Sequence, residues 1–589
     1  MICQHGKRTP RYVPLLGLGA LVLIASAFPA ENISAQASMM NHHGGMASQD
    51  YPDLPSPPLM QGIGNTSMKI TTNSEAAQAY FNQGLRLLHD FWDFESYRAF
   101  KEAARLDPNA AMAYWGEFEA LKMRGPVKDD TRAALDKAKS LMDKTSDHER
   151  YYIRAAEHEL SDTPEDKAAY QHEMEALIDR YPDDQDAQAL YALDLMDGYD
   201  ANGDPRPGEL YSQALLRNLL AAHPESAAAN HYWIHAVEDS SRPELALHSA
   251  DVLASMAPNS GHMVHMPGHI YWRIGDYERA RESFLASMHV DEAYMASEKI
   301  QPANDWNYAH NLAYLIAACA EAGRYREGLE IAKKLRDIPS PTGMTAASFV
   351  VWAGASVARV HIRFGDWQAV PQDPIAFGRD AASVSLPAKS YADGLNAYAK
   401  GMDAIEKGDL VEAAHQSELL DASLWRLEDA KPAKKPGAMD MSNIEPTEDD
   451  PTQVLSLLGT MSLDLRGNVK IAQGDSDAGL KLIEQAAEKE RNLGYSEPPR
   501  YFRPEEESLG YAYLKLKQWD KAREAFNEAL RQRPKTGHAL YGIAQSYALA
   551  GDAPHATAAY RDFLAAWPHA DADLPQVKQA NAWLASQAE

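Results

Sequence analysis

The sequence predicts an all-α protein made of helix-turn-helix repeats that stack on one another. Phe526 and Pro534 recur 34 residues later as Tyr560 and Pro568, so one unit repeats at a fixed period. Alternation of apolar and polar residues with a period of two, the pattern typical of strands, is essentially absent from the sequence. A fixed period with helical spacing predicts a repeat array rather than several unrelated domains.

The repeating unit has the spacing of the tetratricopeptide repeat. The clearest copy begins at SLGYAY, residues 508–513, and continues through Trp519, Ala522 and Phe526 to a proline. Similar spacings start at Gly84 and Gly268. Small residues let the two helices of a repeat approach, aromatic side chains fill the space between them, and proline ends the second helix. We therefore expect a right-handed superhelix with a concave surface.

The repeats start near residue 74, and one segment interrupts them. Residues 430–451 include the run KPAKKPGAMDMSNIEPTEDDP, which is rich in proline and has no apolar periodicity. We interpret this segment as a linker or long loop between an N-terminal array, 74–429, and a C-terminal array, 452–589. A loop of this length is also long enough to fold over a binding groove.

The balance of charge limits the expected partners. The chain of 589 residues has 57 lysine and arginine residues against 84 aspartate and glutamate residues, which gives a net charge of −27. The sequence has no basic cluster beyond its N-terminal segment. Nucleic acid and anionic lipid are therefore not expected as partners.

Residues 1–37 have the pattern of a signal peptide. Three basic residues precede an apolar run over 15–25, and the small-residue sequence Ala-Gln-Ala follows at 35–37. We expect cleavage after Ala37; cleavage after Ala27 and retention as an uncleaved anchor are the alternatives. The expected location is periplasmic or secreted, with no membrane span in the mature chain. Cys319 is then the one remaining cysteine, so no disulfide within the chain is expected.

Residues 38–73 form a leader rich in methionine, histidine and proline. This composition predicts a disordered segment. Thioether and imidazole groups also suit copper, so a copper-binding leader is the alternative.

Motifs of several enzyme classes are missing from the sequence. There is no glycine-rich phosphate loop and no nucleophile elbow. His231 and His235 lie four residues apart, but Tyr232 stands where a zinc protease of the zincin type requires glutamate. Cys319 lies in an alanine-rich segment and is interpreted as a core residue. The acidic run 505–507 is interpreted as the solvated start of a helix.

Histidines recur at the repeat period in the middle of the chain. His231, His235 and Glu238 fall on one narrow stripe of a predicted helix. One repeat of 34 residues after His231 and His235 stand His265 and His269. The same two positions of consecutive repeats are therefore both histidine, and we expect the four imidazoles to converge in the concave groove.

Two further histidines extend this stripe. His262 precedes His265 by one helical turn, and alignment of the following repeat places His310 at the position of His262. Pro267 leaves open whether His262 is helical or lies in a loop. Helices of adjacent repeats pack about 8–10 Å apart, which is close enough for their imidazoles to share an ion.

Two functions are consistent with these residues. The favoured one is an exported scaffold that binds a peptide, a protein or a small ligand in its concave groove, with the histidines as polar contacts and no cofactor. The alternative is a metal-binding protein, or a metal-dependent hydrolase or oxidase, that holds zinc, copper, iron or nickel on the histidines. Glu238 would then be a ligand or the general base on a bound water.

Several segments together resemble a group of exported bacterial tetratricopeptide repeat proteins without an assigned activity. The segments are FNQGLRLLHDFWDFESYRAFKEAARLDPNAAMAYWG, NHYWIHAVE, HMVHMPGHIYWRIGDY, YAHNLAYL and EPPRYFRPEEESLGYAYL. The resemblance covers most of residues 74–566 and is specific in the histidine segments. The resemblance does not indicate a catalysed reaction for this chain. It implies that the motif positions of the group are His231, His235, Glu238, His265, His269 and His310.

If residues 1–37 are a signal peptide, the exported protein begins at Ser38. N-terminal sequencing of protein recovered from the periplasm or the culture medium is expected to start there. A recovered chain that starts at Met1 would contradict this prediction.

Overall fold

The regular structure of the chain is helical. The computed structural model describes residues 54–125, 127–200, 203–340, 346–378, 384–429, 451–493, 498–499 and 501–587. Within these ranges the one element outside helices and turns is an isolated bridge between Tyr199 and Pro205. The all-α fold class of stacked helix pairs is thereby confirmed. Across the same residues, no helix combines the length and the apolar character needed to cross a membrane.

The helices follow one another through short turns. Helices α1 to α8 are Glu75–His89, Asp93–Leu106, Ala111–Met123, Asp129–Leu141, Asp147–Glu157, Pro164–Arg180, Gln185–Leu195 and Pro207–Ala222. Helices α9 to α17 are Ala227–Glu238, Leu247–Met256, Gly261–His265, Pro267–Arg273, Tyr277–Glu298, Trp306–Glu321, Tyr325–Arg336, Ala346–Phe349 and Ser356–Phe364. A π-helical turn, Val350–Gly354, joins α16 to α17.

The chain ends in nine further helices among the described residues. Helices α18 to α26 are Leu386–Lys407, Leu410–Asp429, Thr452–Ala472, Ser476–Arg491, Glu505–Lys515, Trp519–Gln532, Gly537–Ala550, Ala553–Ala566 and Pro575–Ser586. Local sequence sets several of these boundaries. Ser146 and Glu149 form a capping box at the start of α5, and Gly408, at φ +77°, ends α18 in the left-handed region that favours glycine.

Glycines of the repeat motif lie against a phenylalanine of the partner helix. A Cβ atom on Gly84 or Gly116 would lie 2.7 or 2.3 Å from the ring of Phe100. On Gly268 it would lie 2.3 Å from the ring of Phe284. These separations are far shorter than the 3.5–4.0 Å of an ordinary carbon contact, so glycine is what allows the helices of a repeat to approach this closely.

Residues 54–73 are packed against the first repeat, which corrects the prediction of a disordered leader over 38–73. Ile63, Met68 and Ile70 are at most 5% exposed. The backbone N–H of Met60 donates to Oε1 of Gln83 at 2.7 Å. A few apolar side chains and hydrogen bonds are enough to order this stretch despite its polar composition. The signal segment 1–37 and the methionine and histidine residues of 38–53 lie outside the described residues.

Helices on both sides of the predicted linker share one hydrophobic core. Leu420 and Leu427 of α19 belong to the same buried cluster as Leu458 and Leu465 of α20 and Tyr398 of α18. The expected division into two arrays is therefore wrong at this point, because these helices bury one another's apolar faces. Residues 430–450 themselves lie outside the described residues.

The last repeats contact the centre of the chain. The indole N–H of Trp567 donates to the backbone carbonyl of Glu321 at 2.7 Å. The backbone N–H of Asp571 donates to the carbonyl of Gly323 at 3.0 Å. The C-terminal end of α14 is therefore completed by residues from the end of the chain.

A buried ion-pair network holds this contact. Arg363 donates to Glu321 and to Glu507 at 3.0 Å, and Arg533 donates to Glu321 at 2.9 Å. Burial would raise the pKa of Glu321, but the charges of Arg363 and Arg533 outweigh it and lower that pKa. The acidic run 505–507 is buried, which corrects its interpretation as a solvated helix start.

Alanine at Gly542 is expected to destabilise the C-terminal repeats. The ring of Phe526 lies between Gly510 and Gly542, and a Cβ atom on Gly542 would lie 2.3 Å from that ring. The ring has no room to move away, so the free energy of unfolding is expected to fall by about 1–3 kcal/mol. Urea denaturation followed by circular dichroism measures this change.

Gly328→Ala is the matched control for that experiment. A Cβ atom on Gly328 would lie 3.4 Å from Cβ of Cys319, an ordinary contact. Alanine is also a better helix former than glycine by about 1 kcal/mol. The control is therefore expected to be at least as stable as the unchanged protein, and equal stability of the two variants would contradict the packing argument.

Candidate metal centre

Helix α9 carries the first part of the histidine stripe. The side chain of Ser226 caps this helix by accepting a hydrogen bond from the backbone N–H of Ala229 at 3.3 Å. The helix therefore starts early enough to place His231 and His235 one turn apart on one face. Glu238 is its last helical residue.

Helices α11 and α12 carry the second part of the histidine stripe. They form one continuous helix, because Met266 between them has helical angles of φ −55° and ψ −37°. The backbone N–H of Met266 donates to the carbonyl of His262 at 3.0 Å, and that of His269 donates to Met266 at 3.2 Å. Pro267 has no N–H and thus removes one helical hydrogen bond without ending the helix. Since this helix begins at Gly261, His262 is helical rather than part of a loop.

All six predicted histidines lie together as two triads, to which α14 contributes one side chain. The first triad consists of His231, His235 and His262, and the second of His265, His269 and His310. Within each triad, one nitrogen atom of every ring lies within 4.8 Å of those of the other two. The triads adjoin, because the rings of His262 and His265 stack with their centres 5.7 Å apart.

In each triad, two imidazole nitrogens face each other. The Nε2 atoms of His231 and His235 are 3.1 Å apart. Those of His265 and His269 are 2.8 Å apart. The chemical meaning of these distances depends on which ring nitrogen carries the proton.

The Nδ1 atoms of two of these rings donate to fixed oxygen atoms. Nδ1 of His231 is 2.7 Å from the backbone carbonyl of His89, which can only accept. Nδ1 of His265 is 2.8 Å from Oδ1 of Asn311, whose NH₂ group donates to the carbonyl of Phe284 at 2.8 Å. Both rings therefore carry the proton on Nδ1 and a lone pair on Nε2.

Glu238 fixes the other two rings. Its Oε1 lies 2.9 Å from Nδ1 of His235, and its Oε2 lies 2.7 Å from Nδ1 of His269. A carboxylate accepts hydrogen bonds, so in their neutral form these rings also direct an Nε2 lone pair at the neighbouring ring. Two lone pairs at 2.8–3.1 Å repel each other unless a proton or a cation lies between them.

His262 is oriented through a chain of polar side chains. Its Nδ1 lies 3.3 Å from Oδ1 of Asn307, and the NH₂ group of Asn307 donates to Asp291 at 2.8 Å. His310 lies with its ring centre 5.0 Å from that of His265. These contacts complete the two triads.

Burial determines the protonation of the centre. It lowers the pKa of His231 and His265 well below the ordinary histidine value, and the adjacent rings of His235 and His269 lower it further. Burial would raise the pKa of Glu238, but His269 and His235 outweigh it and lower that pKa. Neutral imidazole and ionised carboxylate are the forms in which these groups bind metal.

Aromatic side chains close the centre from two sides. The ring centre of Phe91, which follows α1, lies 4.7 Å from that of His231 and 5.4 Å from that of His235. Phe91 has φ +56°, a backbone conformation uncommon for a bulky residue. On the other side, the ring centre of Tyr314 lies 4.7 Å from that of His269.

The six histidines are at most 8% exposed, so they do not line the open groove that the sequence predicts. Phe91, just after the first helix, covers the first triad, and Phe284 and Tyr314 pack against the rings of the second. Sequence reasoning also missed His89, Phe91, Asn307 and Asn311. The two asparagines flank His310 in the histidine segment, but the contribution of the first repeat has no signal in the local sequence.

Comparisons with known proteins identify the repeats. Residues 508–571 and, separately, residues 263–303 match tetratricopeptide repeat families. The second match includes His265 and His269. No curated protein matches the chain.

The chain also matches solved structures at low identity, among them the following three. The crystal structure of the APC/C hetero-tetramer Cut9–Hcn1 matches at 13% identity and a TM-score of 0.26, covering 87% of this chain and 78% of that chain. Yeast Tom70 matches at 12% identity and a TM-score of 0.27, covering 87% of this chain and 96% of that chain. The structure of Naa15/Naa10 bound to HypK-THB matches at 13% identity and a TM-score of 0.23, with the same two coverages.

Phe91→Ala is expected to open the centre to reagents. In metal-free protein with the ring of Phe91 in place, His231 is expected to resist modification by diethyl pyrocarbonate, because it is fully buried. Removal of the Phe91 ring is expected to increase the rate at which His231 is modified, measured by peptide mass mapping. His289 and His555, 63% and 68% exposed, provide the reference rates in both proteins. Modification of His231 at the rate of His289 in the unchanged protein would contradict the described burial.

Proposed function

We propose that this tetratricopeptide repeat protein is a scaffold that holds two transition-metal ions, one in each histidine triad. One observation carries the proposal: in each triad two Nε2 atoms face each other at 2.8–3.1 Å, while the Nδ1 atoms of the same rings lie 2.7–2.9 Å from oxygen atoms. When these rings are neutral, a cation that binds both facing nitrogens accepts their lone pairs and removes the repulsion between them.

The chemistry of the donor set fits this class of ion. Zinc, copper, iron and nickel accept imidazole nitrogen, whereas magnesium and calcium prefer oxygen ligands. Hydrogen bonds from Nδ1 to carbonyl, amide and carboxylate oxygens are the contacts that orient histidine ligands in metalloproteins. A bound ion would supply Lewis-acid chemistry or, with copper or iron, electron transfer.

Glu238 serves both triads in this proposal. Its two oxygen atoms contact Nδ1 of His235 and Nδ1 of His269, so it orients one ring of each triad. We assign Glu238 this orienting position, in preference to the roles of ligand or general base that the sequence analysis considered.

A peptide or protein ligand is the second candidate, and its support is the repeat architecture itself. Such a ligand would lie along the concave face without touching the triads, whose histidines are buried. We propose a periplasmic or secreted location for either function, on the basis of the sequence of residues 1–37.

Metal content is expected to follow the triads. Protein purified without an affinity tag and reconstituted with zinc, copper, iron or nickel is expected to hold about two ions per chain of at least one of them. His235→Ala and His269→Ala each remove a ligand from one triad and are expected to retain one ion. The double variant is expected to retain none, as measured by elemental analysis.

Three controls accompany this measurement. His289→Ala removes an exposed histidine and is expected to leave the metal content unchanged. Replacing His42 and His43 with alanine tests binding by the leader. Circular dichroism shows whether each variant is folded. Absence of stoichiometric metal with all four ions, or unchanged metal in the folded double variant, would overturn the proposal.

A further inference from the structure

A cavity lies on the inner side of the array, beyond the second triad. Its mainly apolar walls include Trp272 of α12, Ala317 of α14, Trp352 of the π-helical turn, and Phe502. Its volume is about 60 Å³, several times the roughly 10–15 Å³ that one water molecule requires. A π-helical turn at a cavity wall is a frequent mark of a functional site.

The cavity and the second triad lie on the same helices. Trp272 follows His269 by three residues, and Ala317 follows His310 by seven. With a rise of 1.5 Å per residue, these spacings correspond to about 5 and 10 Å along the helix axes. Trp272 and Ala317 at the cavity wall are therefore within about two helical turns of the triad.

Arg359 of α17 brings a positive charge to the cavity wall. Its Nη1 donates to the carbonyl of Val351 and its Nη2 to the carbonyl of Pro499, both at 3.2 Å. The guanidinium carbon lies 5.7 Å from the ring centre of Phe502. Throughout the described part of the chain, no carboxylate lies within ion-pair distance of Arg359. A guanidinium has five N–H donors, so these contacts leave donors for a ligand.

The other charges at the cavity are balanced. Arg363 and Arg533 also line it, but they pair with Glu321 and Glu507 in the buried network described above. Two arginines are therefore matched by two glutamates, and the charge of Arg359 is left over. An apolar cavity with one unbalanced guanidinium is complementary to a ligand with one carboxylate and an apolar body.

We propose that this cavity binds a small aliphatic carboxylate of about five non-hydrogen atoms, such as propionate, which suits a volume of about 60 Å³. The carboxylate accepts hydrogen bonds from Arg359, and the alkyl chain lies between Trp272, Trp352 and Phe502. Binding does not require a metal ion, so this proposal stands apart from the function proposed for the triads.

Isothermal titration calorimetry with propionate tests the proposal, and propionamide is the neutral ligand of the same shape. The amide is expected to bind at least about tenfold more weakly, because it lacks the charge that Arg359 recognises. Arg359→Gln is expected to weaken propionate binding by a similar factor. Ala317→Leu fills the cavity without changing its charge and is also expected to weaken binding. Arg242→Gln, at a side chain 66% exposed, is the matched control and is expected to bind normally.

Several results would overturn this assignment. Equal affinity for the acid and the amide, or unchanged binding by Arg359→Gln, would show that the guanidinium does not recognise the ligand. Absence of propionate binding together with tight binding of a peptide that has a free C-terminal carboxylate would show that the occupant is a peptide. Absence of binding by all three ligands would also reject it. Circular dichroism establishes the fold of each variant, and the comparison of acid with amide uses only the unchanged protein.

Discussion

The close contact between a glycine and a phenylalanine determines how the helices of each repeat pack. Where Gly268 meets Phe284, two helices approach more closely than any larger residue would permit, and this contact sets the thickness of the repeat. Repeats of equal thickness bring α9 beside the helix formed by α11 and α12. His231 and His265 then occupy equivalent positions on adjacent helices, so the geometry of the triads follows from the packing of the scaffold.

The fold class was predictable because its signal is local and repeated. Each copy of the motif holds its own glycine, aromatic residue and proline, so one repeat is enough to recognise the next. The limits of the array were not predictable in the same way. The composition of 430–451 describes that segment alone, whereas the joint burial of Leu420 and Leu458 depends on residues far apart in the sequence. The burial of Ile63 and Met68, near the start of the described residues, likewise depends on packing against helices that follow them in the sequence.

The candidate site was predictable as a set of histidines but not as a buried centre. The recurrence of histidine at the repeat period identified the histidines that cluster, since equivalent positions of stacked helices meet in space. The enclosure of the first triad depends on the first repeat, and the carbonyl of His89 that orients His231 lies 142 residues away in the sequence. Nothing in the spacing of His89 or Phe91 indicates that contact. An open groove was therefore expected where the structure has a core.

The contact between Trp567 and Glu321 affects the order in which the protein reaches its final state. These residues are 246 positions apart, so a ribosome completes the central repeats long before it makes the tryptophan. Until then the end of α14 lacks its last hydrogen bonds, and Arg363 lacks Glu507. The central repeats therefore reach their final packing only after the end of the chain has been translated. Loss of the final repeats through a premature stop codon would destabilise the middle of the molecule as well as its end.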